Sequence, residues 1–235
     1  MTRIKFIGHA AFELSTEGKS ILIDPFITGN PAATTAADQY SPVAILLSHA
    51  HNDHVGDSVE ISKRTGATVI ATFELANFLA SKGAKTNDAS LGGTVAFDGG
   101  TVKFTPAWHS SSYEDGDQIV APGMPAGMVV RFGGSTIYFA GDTALFGDMR
   151  LIGEEGLDVA VIPIGDHYTM GPADALRAVK FLEPRFVIPC HYNTFPPIEQ
   201  DPEAFVTNVT RQTNAKGVLL APGESFDIPA AVRGL

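Results

Sequence analysis

Short apolar runs bounded by Gly, Pro or Asp recur along the whole chain. Runs of this length that are rich in Val, Ile and Phe are typical of β-strands. The pattern predicts strands at residues 4–7, 11–15, 20–24, 43–48, 68–71, 94–97, 102–105, 127–132, 136–140, 159–164, 186–189 and 218–220.

Helical periodicity is clearest in four segments, at residues 57–64, 73–81, 172–182 and 202–213. The last two begin with Pro172 and Pro202, and proline is well tolerated in the first turn of a helix. Strands therefore come first in hairpin-like clusters and later alternate with helices. This order predicts an α/β protein with two mixed sheets packed face to face and helices outside them.

Two long segments, residues 28–42 and 110–126, show no periodic pattern. Loops of that length in a compact domain are usually lids or binding loops. Both adjoin the candidate ligands described below. We therefore expect them to determine substrate specificity, together with residues 193–197.

Composition favours a folded protein with a small or neutral partner. The chain has 235 residues, of which 44% are hydrophobic, and we predict a single domain over residues 1–235. The formal net charge of −10 argues against nucleic acid as a partner, because nucleic-acid binding depends on clustered Lys and Arg. We expect a small-molecule substrate, and a homo-oligomer is compatible with this composition.

The N-terminal residues and the cysteine content indicate in which cellular compartment the protein is expected. Cys190 is the single cysteine, so the chain forms no internal disulfide, which suits a reducing environment. The N-terminal residues contain no apolar segment typical of a signal peptide, and no apolar run approaches the roughly 18 residues that span a bilayer. We expect a cytoplasmic protein that does not bind membranes.

The strongest chemical signal is a cluster of histidines directly after the apolar run 43–48. It reads His49-Ala50-His51-Asn52-Asp53-His54. A turn at the end of a strand lets such side chains converge on an ion, and imidazole and carboxylate suit zinc, manganese or iron. The alternative is a solvated loop rich in His, which the downstream residues disfavour.

The spacing within this cluster indicates two neighbouring metal sites. His49 and His51 lie two apart on an extended segment and share a face, whereas Asp53 and His54 turn toward a second ion. Other ligands must come from later strands. Three later residues each follow a strand-like run and complete the set: His109, Asp142 and His191.

The order of these residues resembles that of the metallo-β-lactamase-fold hydrolases, which have a His-x-His-x-Asp-His run, then a single His, then Gly-Asp-Thr and a late His. Within that superfamily the chain resembles small bacterial metal-dependent hydrolases close to the ascorbate-phosphate lactonases. The features that carry this closer resemblance are Gly8-His9-Ala10, Ile23-Asp24-Pro25, residues 165–171 and residues 191–196. The resemblance extends over essentially the entire chain.

This resemblance implies an αββα sandwich with the metal site at one edge. It assigns the ligands by position: His49, His51 and His109 to one ion, Asp53, His54 and His191 to a second, and Asp142 as the bridging carboxylate. The implied cofactors are two divalent transition metal ions, zinc first, with manganese or iron as alternatives. Cys190 stands where such sequences more often have an apolar residue, and we interpret it as a buried, unreactive thiol.

Three of these residues also have plain structural interpretations. Asp is a favoured N-cap residue, so Asp142 could cap a helix that starts near Leu145, although its Gly-Asp-Thr context favours a ligand. Asp24 before Pro25 is either an ordinary turn residue or a carboxylate that holds a ligating imidazole in its tautomer. A similar choice between a structural and a functional role stays open for His9.

Two neighbouring ions predict a hydrolase in which a metal-bound, bridging hydroxide attacks a carbonyl or phosphoryl centre. The substrate would be a small ester, lactone, amide or phosphodiester. We expect Asp53 to orient the attacking oxygen, and His167 or His9 to donate a hydrogen bond or a proton to the substrate. The alternatives are a mononuclear iron-dependent oxidoreductase on the same fold, a nuclease or phosphodiesterase acting on nucleic acid, and a non-catalytic binding module.

Overall fold

The computed structural model describes residues 1–230 of the chain. Most of its strands belong to two seven-stranded sheets. In chain order the strands are β1 (Arg3–Gly8), β2 (Ala11–Thr16), β3 (Lys19–Ile23), β4 (Ala44–Leu46), β5 (Thr68–Thr72), β6 (Thr86–Ala89), β7 (Thr94–Phe97), β8 (Gly100–Pro106), β9 (Tyr113–Asp115), β10 (Gln118–Val120), β11 (Ala126–Phe132), β12 (Ser135–Phe139), β13 (Val159–Pro163), β14 (Phe186–Cys190), β15 (Lys216–Gly217) and β16 (Ser225–Asp227).

The helices are short and connect the strands. They are α1 (Asn52–Val55), α2 (Ser58–Thr65), α3 (Phe73–Ser81), α4 (Met149–Gly153), α5 (Pro172–Leu182) and α6 (Pro202–Gln212). The longest of them, α5 and α6, have 11 residues each. In the part of the chain that the structure describes, no helix is long and apolar enough to cross a membrane.

The first sheet has the strand order β16-β1-β2-β3-β4-β5-β6. Its antiparallel strands β2 and β3 are joined through Glu17 and Gly18, which have φ values of 49° and 78°. Two consecutive positive φ values are typical of the type I′ turn, whose twist matches that of the flanking strands. From β3 onward the strands are parallel, and α2 and α3 lie in the crossovers that parallel neighbours require.

The second sheet has the order β15-β14-β13-β12-β11-β8-β7. Gly133 and Gly134 form the tight turn between β11 and β12, with φ values of 57° and 82°. The strands β12, β13, β14 and β15 are parallel neighbours, and α4, α5 and α6 lie in the successive crossovers. Parallel strands place their carboxyl ends at one edge of a sheet, which is where the loops that bind ligands gather.

Three buried clusters hold these layers together. One lies between the sheets and contains Phe12 of β2 and Met128 of β11. A second joins the outer face of the second sheet to its helices, with Tyr138 packed in the same cluster as Phe205 of α6. A third joins the outer face of the first sheet to α2 and α3, including Leu75. The layers are therefore helix, sheet, sheet and helix, and the expected αββα sandwich is confirmed.

The strand predictions are confirmed except at residues 218–220, where the prediction is wrong. There β15 ends at Gly217, Val218 donates one backbone hydrogen bond to Val187 (2.8 Å), and the chain then leaves the sheet. All four predicted helices are present. The apolar pattern missed β6, β9, β10, β15, β16, α1 and α4. The sequence of β6 is Thr-Asn-Asp-Ala at the edge of its sheet, so it contains no apolar run to detect.

Candidate metal centre

The predicted metal ligands meet at one edge of the sandwich, just after the carboxyl ends of strands. The histidine cluster follows β4, and α1 forms a single helical turn that starts at Asn52. This turn rotates Asp53 and His54 away from the extended residues before it, so one short run can reach two sites. The other ligands follow β8, β12 and β14: His109, Asp142 and His191.

The ligand atoms form two groups of four, and within each group all four lie within 4.8 Å of one another. The first group is His49, His51, His109 and Asp142. The second group is His9, Asp53, His54 and His191. The structure thus brings all seven predicted ligands together in the predicted division, and it adds His9 to the second group.

Asp142 lies between the two groups. One oxygen, Oδ2, is 3.1 Å from Nε2 of His191 and 3.5 Å from Nε2 of His109. The other oxygen, Oδ1, is 3.4 Å from Nε2 of His54. The carboxylate therefore reaches ligands of both groups, which is the arrangement that a bridging ligand requires. The alternative role as a helix cap is wrong, because α4 begins at Met149 and its N-cap residue is Asp148.

Asp24 determines which nitrogen of two histidines carries the proton. Its Oδ2 accepts hydrogen bonds from Nδ1 of His54 (2.8 Å) and from the hydroxyl of Ser48 (2.6 Å). Since that hydroxyl proton is directed to Asp24, the Ser48 oxygen accepts from Nδ1 of His49 (2.9 Å). When each imidazole is neutral, its unprotonated Nε2 faces the site. Of the two interpretations of Asp24, the geometry matches the one in which it orients ligating imidazoles.

His9 is buried, with 1% of its surface exposed, and it contacts Asp53. Its Nε2 is 3.1 Å from Oδ2 of Asp53, and its Nδ1 is 2.9 Å from the hydroxyl oxygen of Thr194. Burial lowers the pKa of His9 to about 4, against the opposing effect of Asp53. A neutral His9 can donate from Nε2 to Asp53 and accept from Thr194. A catalytic role for His9 stays a prediction.

The buried charges of the site stabilise one another. Burial acts to raise the pKa of Asp142, but the neighbouring His191 and His54 lower that pKa well below its usual value. Burial also acts to lower the pKa of His54, and the carboxylates of Asp142 and Asp24 outweigh it and raise that pKa. Asp142 is therefore ionised, as a ligand must be. A cation bound beside it would replace the proton on His54.

Three buried atoms of the site have no hydrogen-bond partner among residues 1–230: His54 Nε2, Asp142 Oδ1 and His191 Nδ1. Buried polar atoms in proteins are nearly always paired, so these atoms call for a partner of another kind. All three belong to candidate ligands, and His54 Nε2 and Asp142 Oδ1 lie 3.4 Å apart. Imidazole nitrogen and carboxylate oxygen suit divalent transition metals. The residues therefore fit a pair of such ions.

Comparison with known proteins identifies the family. Residues 19–192 match the beta-lactamase superfamily domain, which is most of the chain. The chain belongs to the beta-lactamase superfamily. A UPF0173 metal-dependent hydrolase of Thermus thermophilus is 54% identical over 225 residues, covering 95% of this chain and 98% of the relative. A metal-dependent hydrolase of Bacillus cytotoxicus is 51% identical over 229 residues, covering 96% of this chain and 100% of the relative.

Solved structures of the superfamily share this fold. The metallo hydrolase Igni18 of Ignicoccus hospitalis superimposes with a TM-score of 0.87 at 39% identity, covering 97% of this chain and 99% of the other. An isothiocyanate hydrolase from Delia radicum gut bacteria superimposes with a TM-score of 0.73 at 22% identity, covering 97% of this chain and all of the other, and shows the fold alone. This member of the beta-lactamase superfamily is a metal-dependent hydrolase.

The hydrolase holds several residues of the site in the left-handed backbone region. His9, Asp24 and His191 have φ values of 59°, 42° and 53°. Such conformations cost about 1–3 kcal/mol each and persist where the surrounding structure fixes them, often at functional sites. Here the N–H of His191 donates to the carbonyl of His9 (2.7 Å), so two of these residues fix each other.

A cavity of about 330 Å³ opens onto the two ligand groups. It is lined by five candidate ligands and two further residues: His51, Asp53, His109, Asp142, His191, Ser110 and Tyr168. His167 is exposed and does not line this cavity; it directly precedes Tyr168, and the two rings are perpendicular with 4.5 Å between their centroids. The proposed action of His167 on substrate stays a prediction.

Sequence reasoning missed the residues that hold the loop after β8 against the histidine cluster. The side-chain amide of Asn52 accepts from the backbone N–H of Glu114 (2.9 Å) and donates to its carbonyl (3.1 Å). The hydroxyl of Ser111 accepts from the backbone N–H of Ala50 (3.1 Å). Isolated Asn and Ser residues carry no pattern that would identify these contacts. They join the β9–β10 hairpin to the metal centre.

Proposed function

We propose that this metal-dependent hydrolase binds two divalent metal ions and hydrolyses a small ester, lactone, amide or phosphodiester. The observation that carries the proposal is the position of Asp142 between two groups of ligands. A catalytic zinc ion commonly takes three protein ligands and keeps one open position, whereas this site offers seven candidate ligands besides His9, whose two ring nitrogens contact Thr194 and Asp53. A single ion would leave buried carboxylate and imidazole groups without a partner, which is costly.

The two ions, when bound, would lower the pKa of a water molecule and stabilise the negative charge that develops on the substrate. Zinc is the ion we propose first, and manganese or iron would suit the same donors. Asp53 would orient the attacking water, because its side chain is 33% exposed and lines the cavity, whereas that of Asp142 is 3% exposed. The contact with His9 fixes the orientation of the Asp53 carboxylate.

Replacing Asp24 with Asn is expected to weaken binding of both ions by about 10–100-fold each, the usual effect of removing a partner of a ligating histidine. The carboxylate accepts from His54 and the Ser48 hydroxyl at Oδ2 and from the Ser48 backbone N–H (2.8 Å) at Oδ1. In the variant one of these positions becomes an NH₂ group that faces a donor, so the tautomers of His54 and His49 are no longer fixed. Competition titrations with a chromophoric chelator measure both affinities. The control is Asp57→Asn, because Asp57 accepts only from the backbone N–H groups of Ile27 and Thr28. Equal losses in the two variants would contradict the proposed role of Asp24.

Replacing His167 with Ala is expected to leave the metal content unchanged and to slow the chemical step by about 100-fold, the lower end of the effect of a general acid. The physical reason is that this exposed imidazole directly precedes Tyr168 of the cavity lining and can deliver a proton to a leaving group. Single-turnover rates on esters with good and poor leaving groups measure the effect, which should be larger for the poor ones. Loss of a bound ion, or equal rates for wild type and variant, would refute the assignment.

The experiment that tests the proposed function is metal analysis of the protein as purified, joined to a screen of lactones, carboxylic esters, thioesters, amides and phosphodiesters. We expect a divalent transition metal in the protein and turnover of at least one of these classes. Oxygen consumption with a thiol or persulfide substrate, without hydrolysis of any class, would contradict the proposal. That result would favour an iron-dependent oxidoreductase on the same fold.

A further inference from the structure

Among residues 1–230, Tyr168 is the one Phe, Tyr or Trp residue that lines the metal-site cavity. It is 55% exposed. The loop that carries it is held by backbone hydrogen bonds, from Thr169 to Asp166 (2.9 Å) and from Met170 to Thr143 (3.1 Å). Because Thr143 follows Asp142 directly, these bonds hold the backbone beside Tyr168 close to the metal centre.

A second exposed aromatic side chain is anchored to the same short segment. Trp108 is 67% exposed and directly precedes the ligand His109. Its backbone N–H donates to the hydroxyl of Thr143 (2.9 Å), and its carbonyl accepts from the N–H of Ala144 (3.0 Å). Exposed aromatic residues that rigid loops hold beside a site are typical of surfaces that bind ligands. Trp108 is also the only tryptophan of the chain, so its fluorescence reports on this region.

We propose that the substrate carries an aromatic or otherwise planar unsaturated group, and that this group packs on the ring of Tyr168. The inference rests on the proposed function and narrows its substrate class to molecules that carry such a group. The cavity of about 330 Å³ is at the small end of the range for ligand pockets, which suits a compact molecule. Ser110 is the other cavity residue outside the ligand set, and its hydroxyl can bond to the polar part of such a substrate.

The first test compares phenyl acetate, ethyl acetate and bis(p-nitrophenyl) phosphate in the metal-loaded wild type, Tyr168→Ala, Tyr168→Phe and Phe73→Ala. Phe73 is an exposed aromatic control that does not line the cavity. In Tyr168→Ala we expect the KM for phenyl acetate to rise about tenfold, from the loss of an aromatic contact, and the KM for ethyl acetate to stay the same. Tyr168→Phe and Phe73→Ala should behave as the wild type. An equal change of KM for phenyl acetate and ethyl acetate would overturn the inference, and bis(p-nitrophenyl) phosphate, which also carries aromatic rings, should respond to Tyr168→Ala as phenyl acetate does.

A binding test separates this inference from the proposed function. Acetanilide and N-methylacetamide, two amides that differ in the planar ring, are titrated into the metal-loaded protein while the fluorescence of Trp108 is followed. In the wild type we expect acetanilide to bind more tightly than N-methylacetamide. In Tyr168→Ala we expect the two amides to bind with the same low affinity. If this difference in affinity is found but no substrate is hydrolysed, the proposed function is refuted and the aromatic subsite is retained. Acetanilide binding that does not depend on Tyr168 would refute the subsite even in an active hydrolase.

Discussion

Exhaustive chelation is expected to abolish hydrolysis by this protein, and addition of zinc or manganese is expected to restore it. The physical reason is that activation of water and stabilisation of the developing negative charge are both assigned to the ions. The cavity lining offers two hydroxyls, those of Tyr168 and Ser110, and the Ser110 oxygen is 3.4 Å from Nε2 of His51. Activity is measured on the best substrate of the screen, with the residual metal content determined in the same sample.

Ser110→Ala provides the control for this experiment. If the ions supply the attacking water, that variant keeps its dependence on metal and most of its rate. Full turnover of the wild type with negligible metal, together with loss of activity in Ser110→Ala, would instead identify a serine nucleophile. That outcome would contradict the proposed mechanism while leaving the fold and the family unchanged.

Replacing Asp142 with Asn is expected to lower kcat/KM by on the order of 1,000-fold. Removing a residue that only hydrogen-bonds to a metal ligand already lowers metal affinity or activity by about 10–100-fold, and Asp142 contacts ligands of both groups directly. The neutral amide removes the charge that faces His54, His109 and His191 at 3.1–3.5 Å. At least one of the two ions should be lost. Metal per chain by elemental analysis and kcat/KM on the same preparation measure the two effects together.

Asp158→Asn is a matched control for burial. Asp158 is 4% exposed and Asp142 is 3% exposed, but Asp158 bonds to the backbone of Thr136 and to Arg185. The control should lower the free energy of unfolding and keep the metal content. If Asp142→Asn retained two ions and wild-type kcat/KM, Asp142 would not be a bridging ligand. If both variants lost metal to the same extent, the effect would come from destabilisation of the fold.

The ligand set could be predicted from the sequence because each ligand follows a strand with a strong apolar pattern. The runs before His49, Asp142 and His191 all form buried strands, so the positions of these ligands at strand ends follow from periodicity alone. The spacing of the histidine cluster also predicted its division into two groups. In the structure this division depends on α1 (Asn52–Val55), a turn that is too short to show helical periodicity in the sequence.

The residues that hydrogen-bond to the metal ligands or hold their loops were harder to predict, because an isolated polar residue is not part of any periodic sequence pattern. Ser48 orients His49, and Asn52 holds the hairpin, but either residue reads as an ordinary polar position in the sequence. The loop after β13 shows the same limit. His167 was predicted to act on the substrate because imidazole is a common catalytic group. In the structure the neighbouring Tyr168, and not His167, lines the cavity. The direction of a loop side chain depends on backbone hydrogen bonds that no sequence pattern reveals.

The fold was predictable where strands are apolar and not where they are polar or very short. β6 and β16 lie at sheet edges and have few buried residues, and the Val218–Leu220 run is apolar although it lies outside the sheet. Edge positions require little burial, so their sequences resemble those of loops. These errors lie outside the two ligand groups and do not alter the site.

The central claim is that the two ligand groups hold two ions at once. It is tested most directly by titrating the metal-free protein with zinc, and separately with manganese, while bound metal per chain and activity are measured at each point. We predict saturation at two equivalents, because Asp142 serves both groups, with full activity reached only as the second equivalent binds. Saturation at one equivalent, with full activity at that point, would contradict the dinuclear site.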